Sequence, residues 1–308
     1  MNKRHHCMST EPETHHKISG RIAHNHQDLT GSVYSRPREF LGNHFVYAVV
    51  SSRARGLSIG VNMNPDKACN FNCEYCEVDR TVPPLETSLD VDLVKVELQR
   101  VLSMVDTGAI CSLHPYNTTP SELLNLRHVA LSGDGEPTLS PNFLDALRTV
   151  VHVRALGEFP FFKIVLITNG TGLDRPQVRE GFKLFTKEDE IWVKLDAGTQ
   201  SYMDEVNRPD CALDKILKNI LLVARERPVI IQSLFQMLGH EEPSDFDIDE
   251  YAKRLNELKR AGAQIPLVQI YSAARPSPNS NCGHLPLKSL AYIAQQVREV
   301  TGLKAEVF

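Results

Sequence analysis

What the chain lacks narrows its class. No uninterrupted apolar run nears the roughly 18 residues needed to span a bilayer, and the N-terminal MNKRHHCMSTEPETHHK has no apolar segment of the kind that directs secretion. The expectation is a cytoplasmic protein with no membrane partner. Aromatic residues make up 7% of the chain and tryptophan occurs once. At 308 residues and 42% hydrophobic content, the chain can bury one large core. Charge of one sign is scarce too. The formal net charge of −4 neither demands nor excludes a nucleic-acid partner, because a local basic face can coexist with an acidic remainder. An even cysteine framework is also missing. The chain has seven cysteines, three of them between positions 69 and 76, which argues against secreted disulfides and for a metal site in a reducing compartment.

What is present begins with a polar stretch. Residues 1–43 carry six of the twelve histidines, namely His5, His6, His15, His16, His24 and His26, and show no sustained period. They read as a loosely ordered extension, either a metal-binding tract or, as the composition favours, a solvated tail. Residues 44–308 read as one catalytic domain. Short β-rich runs at 57–63, 127–132, 163–168, 191–195, 229–234 and 267–271 alternate with segments of helical period at 90–105, 141–156, 176–185, 212–227, 249–261 and 287–300. Strand followed by helix, six times over, predicts parallel pairing with right-handed crossovers. Residues 45–50 add a possible strand before the first unit, and 304–308 one at an edge. Six units are two short of a closed eightfold barrel, so the predicted fold is an α/β partial (β/α)6 barrel of parallel strands. In such folds the loops after the strands carry the chemistry. The polar segments 64–80, 133–138, 169–173 and 196–208 each follow a strand and so converge on one mouth.

Cys69-Asn-Phe-Asn-Cys73-Glu-Tyr-Cys76 is a C-x3-C-x2-C run. Thiolates at this spacing on one looped segment reach three corners of a small iron–sulfur cube. With no fourth cysteine nearby, one iron is left open, as in catalytic metal sites. The alternatives are zinc, with His44 or His114 as the missing ligand, or thiols that ligate nothing. At these residues the chain resembles the radical S-adenosylmethionine (SAM) superfamily, whose signature C-x3-C-x-aromatic-C has Tyr75 here as the aromatic. The resemblance implies a [4Fe–4S] cluster on Cys69, Cys73 and Cys76, with SAM chelated at the open iron. It further implies reductive cleavage of SAM to a 5′-deoxyadenosyl radical that abstracts hydrogen from substrate. An electron donor such as flavodoxin or ferredoxin would act as partner.

Further landmarks extend the resemblance. The run Ser132-Gly133-Asp134-Gly135-Glu136-Pro137-Thr138 looks like the family's glycine-rich motif after the second strand, where Gly133, Asp134 and Gly135 let the backbone approach SAM and Glu136 can accept from its ammonium group. Thr168 and Asn169, opening a Gly-containing turn after the third strand, sit where the family contacts the cofactor, although a turn capped by Asn and Gly would look the same. On the fourth strand, alternation puts Lys194 and Asp196 on one face, and inside a barrel that face is the substrate space. Gln232, Gln269, Tyr271 and Arg275 could line the same space. The order of NPDKAC, SGDGEPTL, LITNG, KLDAG and VQIYSAARP is similar to the stand-alone Fe–S oxidoreductases related to the tRNA wyosine-synthesis enzymes. Upstream of the triad this chain has only Cys7, so the second cluster of those enzymes is not expected. The substrate is left open as RNA, peptide or small molecule, with a tRNA base one possibility. Arg53, Arg55, Lys67 and Arg80 flank the cysteine segment as a basic rim that either meets a phosphate-bearing substrate or is merely solvated. The reading from another class is a non-catalytic metal-binding or interaction protein on the same fold.

Overall fold

The computed structural model describes residues 40–273 and 281–308. The histidine-bearing extension up to residue 39, Cys7 and Arg275 lie outside them. In chain order the elements are β1 (Val46–Ser51), β2 (Gly56–Asn62), α1 (Val91–Asp106), β3 (Leu126–Ser132), α2 (Phe143–Ala155), β4 (Lys163–Thr168) and α3 (Pro176–Phe182). They continue with β5 (Glu190–Lys194), α4 (Gln200–Val206), α5 (Leu213–Ala224), β6 (Ile230–Leu234), β7 (Gln236–Leu238) and α6 (Asp245–Arg260). The last are β8 (Leu267–Tyr271), β9 (Cys282–His284), α7 (Leu287–Thr301) and β10 (Ala305–Val307). One eight-stranded sheet runs β1-β2-β3-β4-β5-β6-β8-β10. Strands β2, β3, β4, β5, β6 and β8 pair in parallel, β10 adds in parallel to β8, and β1 lies antiparallel along β2.

The expected six βα units are therefore present, and both possible extra strands form. The sheet curls far enough for a side chain at one end to reach the other. From the β1–β2 turn, the Arg55 guanidinium bonds Glu306 on β10 at 2.8 Å and lies 5.7 Å from the Phe308 ring. Three elements had no counterpart in the sequence pattern: the seven-residue α4, and β7 and β9, which pair as a two-stranded ribbon.

Strand alternation sorts the two faces of the sheet. Leu57, Ile59 and Val61 on β2, Ile191 and Val193 on β5, and Val268 and Ile270 on β8 are fully buried against the helices. Each such side chain stabilises the fold by about 1.5–3 kcal/mol relative to exposure. The opposite face lines the barrel interior and is far more polar. Ser58 bonds His128 across β2 and β3 at 2.8 Å, and Gln232 donates to Gln269 across β6 and β8 at 2.9 Å. The helices begin on side-chain caps where the sequence supplies them. The Asp90 carboxylate accepts from the Asp92 and Leu93 N–H groups before α1, and Ser244 accepts from Asp247 N–H before α6. Glu97, buried in α1, turns back to accept the N–H groups of His44, Phe45 and Val46, fixing where β1 starts.

Candidate cluster and cofactor site

The three cysteines lie on the loop between β2 and α1, and four parts of the fold hold that loop. At its base, the Asn62 amide oxygen accepts from Asn64 N–H at 3.2 Å and from Asp134 N–H at 3.0 Å. The glycine-rich loop after β3 lies directly against it. Glu136 N–H donates to the Ala68 carbonyl at 3.1 Å, and a Cβ on Gly135 would come within 1.8 Å of that oxygen. This close approach is why position 135 is glycine. From the end of β4, Asn169 donates its side-chain amide to Asn70 at 2.9 Å. From the exit of α4 come further main-chain bonds. Asn72 N–H reaches the Asn207 carbonyl at 3.1 Å, Glu74 N–H that of Val206 at 2.9 Å, and Asp210 N–H that of Asn70 at 3.1 Å.

Cys69, Cys73 and Cys76 are each partly exposed. The Cys69 sulfur accepts from Phe71 N–H at 3.4 Å, and the Cys73 sulfur from the Asn207 amide at 3.5 Å. Burial pushes the Cys69 thiol up to about 12 and the Cys73 thiol up to about 11, partly offset by these two hydrogen bonds. Such thiols give up their protons to a positively charged centre that they ligate. Among the described residues, no three His, Cys, Asp or Glu groups are arranged around a single ion. His44, one of the histidines considered for zinc, pairs with Glu86 at 2.7 Å. Ligands to three corners of a cube need not meet at one point, as ligands to one ion must.

Glu136 is 2% exposed, and its carboxylate ties two strand ends together. It accepts from Thr138 N–H at 3.1 Å, from the Thr138 hydroxyl at 2.5 Å, from the Thr168 hydroxyl, and from Asn169 N–H at 2.6 Å. Burial raises its pKa, and these four donors work against the shift. Three of the four converge on one oxygen, Oε1; Oε2 takes the Asn169 N–H alone and retains acceptor capacity. Asp134 is buried, holding the Asn62 amide nitrogen at 3.2 Å. Gly133 allows Asn62 to approach, since a Cβ there would lie 2.4 Å from its amide oxygen.

Lys194 and Asp196 share the interior face, as alternation predicts, with Lys194 Nζ 3.2 Å from Asp196 Oδ1. The ammonium also donates to the Tyr271 hydroxyl at 2.9 Å and lies 4.9 and 5.1 Å from the ring centroids of Tyr75 and Tyr271. Burial acts to lower the Lys194 pKa, but Asp196 and Tyr271 outweigh it and hold the group above its ordinary value. Asp196 is itself fully engaged. Its second oxygen receives the Tyr75 hydroxyl and the Asn207 amide, the latter at 2.8 Å, while Leu234 N–H donates to the first at 2.8 Å. Burial, with Asp196 next to it, keeps Tyr75 well above the usual phenol range and therefore protonated.

One chain of contacts thus runs from the Cys73 sulfur through Asn207 to Asp196 and Lys194. A pocket lined by Phe71, Lys194, Asp196, Met203, Asn207 and Ile216 opens beside it. The sequence reading missed Asn207 because it depends on α4, whose seven residues are too few to show a period. The one local signal was Thr199, which caps α4 by accepting from Tyr202 N–H at 3.2 Å. Of the four basic residues expected at the rim, Lys67 instead braces the loop through the carbonyls of Asp79 and Val82, at 2.7 and 2.6 Å. Arg55 closes the barrel edge, Arg80 bonds Asn72 at 3.3 Å, and Arg53 lies with its guanidinium 4.1 Å from the centre of the Tyr271 ring.

Comparisons with known proteins bear on the family and the fold. A UPF0026 protein of Helicobacter pylori is 30% identical over 181 residues, covering 57% of this chain and 50% of its own. The chain spans about half the length of two curated relatives it matches, 50% of each. Among solved structures, Streptococcus suis SuiB bound to S-adenosylmethionine superposes with a TM-score of 0.54 at 13% identity, covering 80% of this chain and 49% of that one. TYW1 with a lysine-pyruvate adduct bound superposes with a TM-score of 0.53 at 17% identity, covering 85% and 86%. Both likenesses are of fold. The sequence model of the Radical SAM superfamily matches residues 63–255, from the end of β2 into α6 and across every loop that holds the cysteines. The chain belongs to the Radical SAM superfamily, and that membership implies a [4Fe–4S] cluster and S-adenosylmethionine as its cofactors.

Proposed function

We propose that the protein is a cytoplasmic radical SAM enzyme whose cluster is held by Cys69, Cys73 and Cys76. When bound, the cluster and SAM supply reductive cleavage to a 5′-deoxyadenosyl radical, the species that takes hydrogen from substrate. The observation that carries this reading is the cysteine loop itself, pinned against the glycine-rich loop and the end of β4 and holding its thiols partly exposed. Gly133, Asp134, Gly135, Glu136, Thr168 and Asn169 form the wall on the cofactor side. Tyr75, Lys194 and Asp196 lie on the other side, facing the barrel interior, where a substrate has to sit to meet the radical. The Lys194 ammonium positions substrate there, while Asp196 and Tyr75 orient that ammonium. The reductant is a flavodoxin- or ferredoxin-like donor. A tRNA base is one substrate consistent with the likeness in fold to TYW1; a peptide or a small metabolite fits the same chemistry.

Anaerobic reconstitution tests this reading. The expected product binds about four irons and four sulfides and cleaves SAM under reduction, and Cys→Ala at any of the three positions abolishes a stable cluster. A chain that instead bound one tight zinc would sink the proposal.

A further inference from the structure

Among the described residues, the barrel interior holds a cation, Arg53, with no acidic partner. Lys163 pairs with Glu190 at 2.5 Å, and Lys194 with Asp196 at 3.2 Å. His128 is neutral, since burial, with Lys163 and Arg53 nearby, pushes it down to about 3. Arg53 has no such partner. Its guanidinium lies 4.1 Å from the centre of the Tyr271 ring, the ring whose hydroxyl receives Lys194, and its Nε is buried with no hydrogen-bond acceptor. Arg55, two residues on, has Glu306 at 2.8 Å, so an acidic partner was within the means of this turn. A buried donor on a permanent cation is costly when left unpaired, and the arrangement makes sense when an anion arrives with a ligand. The guanidinium is planar, stacks on an aromatic face and binds carboxylate or phosphate through two parallel N–H groups.

We infer that Arg53 receives an anionic group of the substrate, a carboxylate or a phosphate, inside the barrel beside Tyr271. Tyr271 acts as the spacer. Its ring supports Arg53 and its hydroxyl holds Lys194, so the two cations address one ligand from neighbouring positions without colliding. Arg53 is a specificity-determining residue in this scheme, set apart from the cysteine loop. The inference rests on the reading of the barrel interior as the substrate space.

The test uses the full, cluster-loaded chain saturated with SAM, titrated calorimetrically with inorganic phosphate, with acetate, and with neutral acetamide. The wild type is expected to bind one of the two anions and not acetamide; which anion binds distinguishes phosphate from carboxylate. Arg53→Gln should weaken that binding at least tenfold, and Arg53→Lys, which keeps the charge but loses the planar fork, should fall between. Circular dichroism and thermal melting report on folding, and if Arg53→Gln does not fold the decision passes to Arg53→Lys. Three results would overturn the inference: no anion binding by the wild type, binding undiminished in the variants, or binding seen only without SAM. The last would assign Arg53 to the cofactor's own carboxylate. Iron content and SAM cleavage, measured on the same wild-type preparation, report separately on the proposed function.

Discussion

Glu136 accepts from four donors, two of them main-chain N–H groups, and so acts as a knot between the ends of β3 and β4 as well as lying in the proposed cofactor wall. Each buried donor left unpaired costs about 1–3 kcal/mol, so Glu136→Ala should lose at least about 2 kcal/mol of stability in urea unfolding. The same variant should bind SAM more weakly yet keep its iron, since the donors to this carboxylate are Thr138, Thr168 and Asn169 and none is a cysteine. Unchanged SAM affinity would remove Glu136 from the cofactor wall. Lys194 gives a second expectation. An amine held as ammonium by Asp196 and Tyr271 is a poor nucleophile, so borohydride reduction in the presence of pyruvate should leave no adduct on Lys194 in peptide mass maps. An adduct there would favour wyosine-type chemistry instead. At this scale the sequence was informative where residue type and chemistry coincide, as in three cysteines or a Gly-x-Gly-Glu run. It brought the segment 196–208 to the mouth without singling out Asn207, whose amide contacts Cys73, Tyr75 and Asp196 because the chain folds back on itself after α4.

Between elements, the decisive contact is the one with least room. Any side chain at position 135 has to displace the Ala68 carbonyl, one residue before the first cysteine. Gly135→Ala should therefore push the cysteine and glycine-rich loops apart. The expected outcome is a folded barrel whose iron content after reconstitution falls well below the wild type; full iron occupancy would show that the two loops move independently. The strands were legible from their β-branched runs, and β4 and β8 fall on the expected residues, because strands buried on both faces leave a strong signal. Helix starts were less so. α6 begins at Asp245 on its Ser244 cap, four residues before the expected start, because capping outweighs the onset of the apolar stripe. The ribbon of β7 and β9 pairs segments more than forty residues apart with three residues each, too short for any alternation to register.

For the molecule as a whole, His128 makes the fold acid-sensitive. It is neutral in the barrel, pushed down to about 3, whereas in the unfolded chain it takes a proton below about 6.5. Its contribution is therefore complete above the unfolded pKa and lost as pH falls toward the folded one, at roughly 1.4 kcal/mol per pH unit. His128→Asn should flatten that part of the stability profile in denaturant titrations run from neutral to acid pH; an equal slope in both proteins would contradict it. The clamps on the cysteine loop bear on how the protein is made. Cys69, Cys73 and Cys76 are synthesised early, whereas Asp210, which holds Asn70 at 2.8 Å, follows Asn70 by 140 residues. At about 5–20 residues per second, the thiols leave the ribosome on the order of ten seconds before the last wall of their site exists. Under the proposed function, metal delivered during that interval would find only a flexible peptide, so cluster insertion would follow assembly of the sheet, and the three thiols would have to stay reduced until then.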